Sequence, residues 1–404
     1  MIHAGWLQVT VIVVAWLLAL VWLRRMSDAL RGIPAMLDLT CTARGSLLAL
    51  PEDGMPHVTV IVPARDEADT IEATLRSLLA QTGIRLQIIA VDDRSVDGTG
   101  EKMDALAREA IAGTQSFETI HVRELPPGWL GKPHALARGV EQARAPWLLF
   151  TDGDVLFAPE ALHLALGAAI RENVDHFVLA PTLISTTVGA AAIQATAQVL
   201  AHFVTRAWKI SDPQARDAFG VGGFNLVRKD ALEAFGGMER LRMEVVEDVA
   251  LGWLIKKELG RRSFFALGPG LVWIHWIRGM FGIVKLLEKN AFAGTRFSVG
   301  MTLISVISLL LHALVPFAAL AAGPWGIAAA ISMYAGIVMG FIANRKLNGL
   351  SPWFAVLLAP CALILAWAML RSMLLTLARG GVVWRGTLYP LSELRKGMVR
   401  FRMV

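Results

Sequence analysis

Two aspartates one residue apart follow a short apolar run near the middle of the chain. The run is Trp147-Leu148-Leu149-Phe150, and Thr151-Asp152-Gly153-Asp154 comes directly after it. A buried strand that ends in two carboxylates presents both at its tip, where they can share a divalent cation and the phosphate that the cation carries. The same composition is common in turns, so a solvated loop is the competing interpretation.

The residues before this tip predict the sheet that would position it. Val58–Val62 has the composition of a buried strand, Glu67–Gln81 carries apolar residues at helical spacing, and Leu86–Val91 is a second strand. Strand, helix and strand at this spacing form a βαβ unit of a parallel sheet, in which ligands bind at the carboxyl ends of the strands. Asp92-Asp93 ends the second strand and is expected at that edge, although a role in capping the next helix would explain it equally well. The first turn lacks G-x-G-x-x-G, which disfavours a dehydrogenase.

Three further groups could supply chemistry at the same edge. Lys132 follows Gly131 and precedes a predicted helix, where it could contact a phosphate or simply be solvated. The glycines of Gly220–Asn225 could let the backbone approach a sugar, or could form only a tight turn. Glu247-Asp248 opens a helix predicted to run to about Leu259. Acids are expected there from the helix dipole alone, but a catalytic carboxylate at this place would be held rigidly.

Composition limits the class of protein. The chain has 404 residues, of which 55% are hydrophobic, so part of it is expected in lipid. Its net charge of +6 is mild and no nucleic-acid motif is present, which makes nucleic acid an improbable partner. The two cysteines, Cys41 and Cys361, are far apart and predict neither a disulfide framework nor a thiolate metal site.

Apolar runs and basic residues predict how the chain meets the membrane. Trp6–Leu23 has the length of a membrane anchor, and Arg24-Arg25 after it places the next segment in the cytoplasm. Residues 271–297 combine apolar and basic side chains at helical spacing, which is typical of helices in the membrane interface. Three apolar segments follow, at about Met301–Ala322, Trp325–Ala343 and Trp353–Leu377.

The predicted crossings conflict with the charge of the C-terminal tail. With the middle of the chain inside, three full crossings after residue 300 would leave the tail outside. The tail carries many arginines and a single acid, Glu393, and therefore belongs in the cytoplasm. One segment is expected to be re-entrant, or to form a hairpin around Pro316 or Pro360, and the number of crossings stays open.

Taken together, the motifs resemble those of family 2 glycosyltransferases with the GT-A fold, anchored to the membrane as in the hopanoid-associated, carotenoid and ceramide glucosyltransferase-like branches. The matching stretches occur in the family's order and are, along the chain, Ile61–Glu67, Val91–Thr99, Gly131-Lys132, Phe150–Asp154, Gly222–Phe224 and Val246–Asp248. The resemblance implies an α/β GT-A domain with a mostly parallel sheet, accompanied by transmembrane and interfacial helices.

The expected segments follow from this resemblance and from the apolar runs. In chain order they are an N-terminal transmembrane anchor at 1–25, a linker at 26–56, the GT-A catalytic domain at 57–270, interfacial amphipathic helices at 271–300, C-terminal transmembrane segments at 301–378 and a basic cytoplasmic tail at 379–404.

The resemblance also implies a role for each matching residue. Asp93 would contact a uracil-type base, Pro63 and Glu67 would line the nucleotide pocket, and Lys132 would lie near the nucleotide. Asp152 and Asp154 would meet the ribose and a divalent cation, Mg²⁺ or Mn²⁺. Gly223 and Glu247 would help to bind the substrate, and Asp248 would be the catalytic base.

The activity that the resemblance implies is an inverting transfer of a single sugar from a nucleotide-sugar donor, a UDP-sugar, to a lipid acceptor. The protein would be a multi-pass protein of the bacterial inner membrane with a cytoplasmic catalytic domain. A processive glycan synthase is disfavoured because Q-x-x-R-W is absent, the nearest stretch being His275–Gly279. A non-catalytic membrane protein that binds nucleotide sugars is the alternative from another class. Near the end, Val383-Trp384-Arg385-Gly386 partly resembles the W-K-G-R tail of related membrane enzymes.

Overall fold

The computed structural model describes residues 2–41, 50, 55–110, 115–277 and 279–400. Outside the described residues lie residues 42–49 and 51–54 of the predicted linker, Arg278, and residues 401–404 of the predicted tail. The expected α/β class with a mostly parallel sheet is confirmed.

The strands, numbered along the chain, are β1 Val58–Ala64, β2 Leu86–Asp93, β3 Ser116–Val122, β4 Trp147–Phe150, β5 Val155–Phe157, β6 His176–Ala180, β7 Thr182–Leu183, β8 Asn225–Arg228, β9 Ser263–Leu267, β10 Val272–Ile274, β11 Gly381–Trp384 and β12 Thr387–Pro390.

The α-helices are α1 Ile2–Gly32, α2 Ile71–Leu79, α3 Thr99–Ala110, α4 Gly131–Glu141, α5 Ala161–Arg171, α6 Val188–Ala201, α7 Lys229–Ala234, α8 Glu247–Trp253, α9 Gly282–Gly294, α10 Val299–Leu320, α11 Pro324–Asn348, α12 Leu358–Arg379 and α13 Leu391–Gly397.

The main sheet brings the predicted strand tips together. Its strand order is β3-β2-β1-β4-β8-β6-β9, and β8 is antiparallel to both of its neighbours. Strands β1, β2 and β4 are parallel and fully buried, as their apolar runs predict, so their carboxyl ends share one edge. Because β8 runs the other way, its first residue, Asn225, lies opposite Phe150 at that same edge.

Several elements differ from the sequence predictions. The predicted helix Glu67–Gln81 is shorter and begins at Ile71, because the residues before it form a loop held by hydrogen bonds to the next strand tip. The segment 271–300 was expected to form amphipathic helices, but it begins with β10, which pairs with β5 and β7. The helix of this segment, α9, starts only at Gly282, because the apolar residues Val272–Ile274 form β10.

Four helices are long and apolar enough to cross a membrane, within the part of the chain described above. Three of them, α1, α10 and α11, meet at an end remote from the sheet, where Gln8 Nε2 donates to the carbonyl of Ala322 at 2.9 Å. At the opposite end of α11, Lys346 Nζ donates to the carbonyl of Pro34 at 3.2 Å. Helices α1 and α11 are therefore parallel, and α10 returns between their ends.

The fourth apolar helix, α12, takes a different course. Near its start, Cys361 and Leu365 pack in one cluster with Ile193 of α6 and Ile283 of α9. Near its end, the Ser372 hydroxyl accepts the N–H of Phe292 at 3.1 Å. The chain then continues into β11 and β12 beside the main domain, so both ends of α12 lie against the domain and α9.

Candidate active site

Side-chain hydrogen bonds lock the first two strand tips to each other. The backbone N–H of Glu67 donates to Thr99 Oγ1 at 2.8 Å, and that of Ala68 donates to Asp97 Oδ2 at 3.0 Å. The N–H of Asp66 donates to Ser95 Oγ at 3.0 Å. Much of the polar motif after β2 therefore shapes the loop that carries Glu67, because each bond satisfies a backbone donor that no helix or strand satisfies.

Lys132 is the centre of the site. Its Nζ lies 2.6 Å from Asp152 Oδ1 and 2.6 Å from Glu247 Oε1, so it joins the start of α4 to the tip of β4 and the start of α8. Burial acts to lower the pKa of the Lys132 ammonium, but Asp152, Glu247 and Asp248 outweigh it and raise that pKa well above its usual value. The Lys132 ammonium therefore stays protonated, and its positive charge holds the three segments together.

Asp248 lies beside this pair with a different electrostatic environment. Its Oδ1 accepts the backbone N–H of Val249 at 2.9 Å. Burial, and then the negative charge of Glu247, raise the pKa of Asp248 to about 7, although Lys132 acts in the opposite direction. A carboxylate with a pKa near neutrality is suited to accept a proton during a reaction.

Gly222, in the loop before β8, leaves room for the carboxylates of Asp152 and Asp248. A Cβ added to Gly222 would lie 2.9 Å from Asp152 Oδ2 and 3.4 Å from Asp248 Oδ2. Gly222 therefore faces the reactive groups. Gly223 instead packs against Ile274, whose Cδ1 would lie 2.2 Å from a Cβ at that position, and its carbonyl accepts the Thr151 hydroxyl at 2.8 Å.

Asp154 and Glu67 form the acidic side of the site. Burial, followed by the charges of Asp152 and Glu67, raises the pKa of Asp154 to about 6. Among the described residues, no group of three or more His, Cys, Asp or Glu side chains is arranged to hold a metal ion by itself. The carboxylates of Asp152 and Asp154, with Glu67 nearby, nevertheless fit a hard divalent cation whose other ligands come from phosphate and water.

The predicted nucleotide-pocket residues lie one strand further along. The carboxylate of Asp93 is buried and accepts two hydrogen bonds from Arg94, from Nε at 2.8 Å and from Nη2 at 3.0 Å. Gly131 stands directly against it, since an added Cβ would lie 2.4 Å from Asp93 Oδ2. Pro63 is buried within β1 opposite Val91. Asp93 and Lys132 are therefore connected through the first residue of α4.

Sequence reasoning did not assign several residues that the structure brings to the site. A hairpin formed by β11 and β12 reaches back from the C-terminal part of the chain. Arg385 at its tip forms an ion pair with Glu67, and the Tyr389 hydroxyl accepts the N–H of Gly131 at 3.3 Å. Lys289 of α9 lies over the ring of Trp384. The partial W-K-G-R resemblance pointed to this hairpin but not to its position.

Comparison with known proteins identifies the central part of the chain. Residues 59–236 match the profile of the family described as Glycosyl transferase family 2. Over 130 residues the chain is 32% identical to the succinoglycan biosynthesis protein ExoO of Rhizobium meliloti, covering 30% of this chain and 34% of that protein. Over 124 residues it is 27% identical to the poly-beta-1,6-N-acetyl-D-glucosamine synthase of Staphylococcus aureus, covering 31% of this chain and 27% of that protein. The chain thus spans only about a third of the length of the curated relatives it matches.

A solved structure supports the fold over most of the chain. The mannosyltransferase PcManGT of Pyrobaculum calidifontis, in complex with GDP-Man and Mn²⁺, aligns with a TM-score of 0.50 and 18% identity, over 91% of this chain and 97% of that one. At this identity the likeness concerns the fold alone, which is the GT-A arrangement. Residues 59–236 are therefore a family 2 glycosyltransferase domain, and the chain has the GT-A fold.

Proposed function

We propose that this protein is a membrane-bound, inverting glycosyltransferase that moves one sugar from a nucleotide-sugar donor, a UDP-sugar, to a lipid acceptor. The observation that carries the proposal is the cluster in which Lys132 joins Asp152 and Glu247 beside the near-neutral carboxyl of Asp248. A protein that only bound nucleotide sugars would have no use for a carboxylate held in this protonation range.

The residues of the site have distinct tasks in the proposed reaction. Asp248 takes the proton of the acceptor hydroxyl as its oxygen attacks the anomeric carbon of the sugar. The bond between that carbon and the diphosphate oxygen breaks, and its electron pair leaves with the nucleoside diphosphate. Attack from the face opposite the nucleotide inverts the anomeric centre. Lys132 keeps Asp152 and Glu247 in place throughout.

The donor is expected to lie along the edge from Asp93 to Asp154. The buried carboxylate of Asp93 can accept the imide N–H of a uracil ring, with Pro63 and Glu67 along the pocket. A divalent cation held by Asp154 and Asp152 would supply positive charge to the diphosphate. PcManGT, which shares this fold, was solved with Mn²⁺, which supports the use of a divalent cation.

The apolar helices motivate a lipid acceptor. A substrate that is dissolved in the bilayer requires an active site held at the membrane surface, and α9 carries Lys289 from that surface into the site. The similarity to a polymer synthase favours processive synthesis as a second candidate. The absence of Q-x-x-R-W from the sequence favours transfer of a single sugar.

The course of α12 supports a solution to the conflict over sidedness. We propose that α1, α10 and α11 cross the membrane, whereas α12 stays on the side of the catalytic domain, against α6 and α9. Three crossings with the N-terminus outside leave the domain, the basic end of α11 and the basic tail in the cytoplasm, as the charge rule requires.

Cysteine labelling tests this topology. In a Cys41→Ser/Cys361→Ala background, a cysteine at Ala321, in the turn after α10, is expected to react with an impermeant maleimide added to intact cells. A cysteine at Lys396, which is exposed on α13, is expected to react only after permeabilisation. Labelling of the Lys396 position from outside would establish four crossings instead.

Release of free nucleoside diphosphate tests the proposed activity. Detergent-purified protein should release it from one donor in a panel of UDP-, GDP- and dTDP-sugars, provided that a lipid extract and Mg²⁺ or Mn²⁺ are present. Asp154→Ala should lower the rate by about 10²-fold or more, because the diphosphate loses charge stabilisation in the transition state. Glu258→Gln, which removes a carboxylate remote from the site, serves as the control. Binding of nucleotide without release under any combination would favour the non-catalytic alternative.

A further inference from the structure

The tip of the C-terminal hairpin holds an arginine in an unfavourable backbone conformation. Strands β11 and β12 are joined by two residues, and Trp384 pairs with Thr387 across the turn. Arg385 has a φ of 47° and Gly386 a φ of 77°, the pattern of a type I′ turn. Asparagine, aspartate or glycine normally fills the first of these positions, since a longer side chain is strained there. Such strain is often retained where a side chain has a function.

Two residues, Arg385 and Tyr389, fix the hairpin against the nucleotide side of the site. Arg385 Nη1 donates to the carbonyl of Asp66 at 3.3 Å, and its guanidinium forms an ion pair with Glu67. The Tyr389 hydroxyl accepts the N–H of Gly131, directly beside Asp93. The arginine is therefore held at the turn after β1, beside the Glu67 carboxylate.

A second cation comes from α9. Lys289 is half-buried, and its Nζ lies 3.5 Å from the centroid of the Trp384 ring. Burial, and then the charge of Lys132, lower the pKa of Lys289 to about 8, and Arg385 acts in the same direction. Geometry places the other two cations beside the same strand tip. Lys132 Nζ lies 2.6 Å from Asp152 Oδ1, and Glu67, which pairs with Arg385, has its Cγ 3.6 Å from a Cβ added to Gly153.

The three cations of the site differ in how far nearby carboxylates already neutralise them. Lys132 is already paired with Asp152 and Glu247, and Arg385 with Glu67, whereas Lys289 contacts the ring of Trp384. Aromatic rings orient a cation without neutralising it, which leaves its charge available to a ligand. The proposed donor brings a diphosphate whose negative charge increases when the sugar leaves.

We infer that Lys289 and Arg385 bind the sugar-bearing phosphate of the donor and stabilise the diphosphate as it departs, with Trp384 and Glu67 positioning the two cations. The inference rests on the proposed function. As the bond from the anomeric carbon to the phosphate oxygen breaks, its electron pair stays on that oxygen, and both cations lie where this charge appears. Each lies beyond the residues 59–236 that match the family, so the C-terminal half would complete the donor site.

Calorimetric binding of nucleotides to the full-length protein in detergent, with Mg²⁺ present, tests this assignment. UDP and GDP are measured first, and then the monophosphate of whichever base binds. Lys289→Gln and Arg385→Gln are each expected to weaken binding of the diphosphate by about tenfold, which is the usual effect of losing one charge-assisted hydrogen bond. Binding of the monophosphate should change by less than about twofold, because the contact is to the second phosphate.

Lys396→Gln provides the matched control, because it removes one exposed cation from the same C-terminal segment. It should leave both affinities unchanged. If Arg385→Gln weakened the binding of monophosphate and diphosphate equally, the inference would be overturned, and the hairpin would have only a structural role. Unchanged diphosphate affinity in the Lys289→Gln/Arg385→Gln double variant would overturn it as well. If the wild-type protein bound neither diphosphate, the proposed function itself would fail.

Discussion

Replacing Asp248 with asparagine is expected to lower the rate of sugar transfer by about 10²- to 10⁴-fold, the range that a general base contributes. The amide has nearly the same shape but cannot take the acceptor's proton. Affinity for the donor nucleotide should stay within about twofold of the wild-type value, because Asp248 faces the acceptor side of the proposed reaction. Single-turnover transfer and nucleotide binding, measured on the same preparation, separate the two effects.

The pH dependence provides an independent test of the same residue. Asp248 is surrounded by Glu247, Asp152 and Lys132, and its pKa is raised to about 7. Since only the deprotonated carboxylate accepts a proton, wild-type kcat/KM should fall as the pH drops below about 7. A raised carboxyl pKa also means that the folded state loses stability as the pH rises from the ordinary value towards 7. Asp248→Asn should therefore not lower the Tm at pH 8.

A loss of Tm in Asp248→Asn at pH 8, matching the loss of activity, would contradict this account and assign the residue a structural role. Glu258→Gln is the control, because Glu258 forms a surface ion pair with Arg240 and should affect neither rate nor pH profile.

Replacing Lys132 with methionine is expected to cause the second large effect, a fall in kcat/KM of about 10²- to 10³-fold. Methionine keeps the length of the side chain but leaves Asp152 and Glu247 without their shared cation. Glu247 is only 6% exposed, so its charge becomes costly once the ammonium is removed.

The pH profile of this variant distinguishes a specific role from general damage. Lys132 lowers the pKa of Asp248, so its removal should move the midpoint of the residual activity above the wild-type value. Kinetics between pH 6 and about 9.5 would measure this shift. Lys396→Met should reproduce the wild-type profile, since Lys396 is exposed on α13. A residual activity with an unshifted midpoint would argue against the electrostatic coupling of Lys132 and Asp248.

Much of the site could be predicted from the sequence because it lies at the ends of strands. Apolar runs mark β1, β2 and β4, and parallel strands necessarily bring their carboxyl ends to one edge. Asp93 and Asp152 follow such runs directly, so their neighbourhood is a consequence of topology. The acids at the start of α8 have an equally good explanation in the helix dipole, and the order of motifs in the family is what favours a catalytic role for them.

Other parts of the site depend on contacts that no local pattern encodes. Arg385 and Glu67 are 318 residues apart, and the local sequence of neither residue indicates that the two side chains meet. The segment at 271–300 mixes apolar and basic residues in a way that suits an interfacial helix, yet its first part forms β10 because β5 and β7 offer backbone partners there. The course of α12 is equally invisible in its composition, which is that of a membrane-crossing helix.

The most direct test of the central claim is transfer of a radiolabelled sugar into the lipid phase. Wild-type protein in proteoliposomes that contain a bacterial lipid extract would be incubated with each labelled nucleotide sugar, beside Asp248→Asn. We expect label from one donor to enter the organic phase, in a product whose mass exceeds that of its acceptor lipid by a single sugar, and expect none with the variant. Equal incorporation by wild type and variant would contradict the assignment of the base, and a ladder of sugar additions would identify a processive synthase.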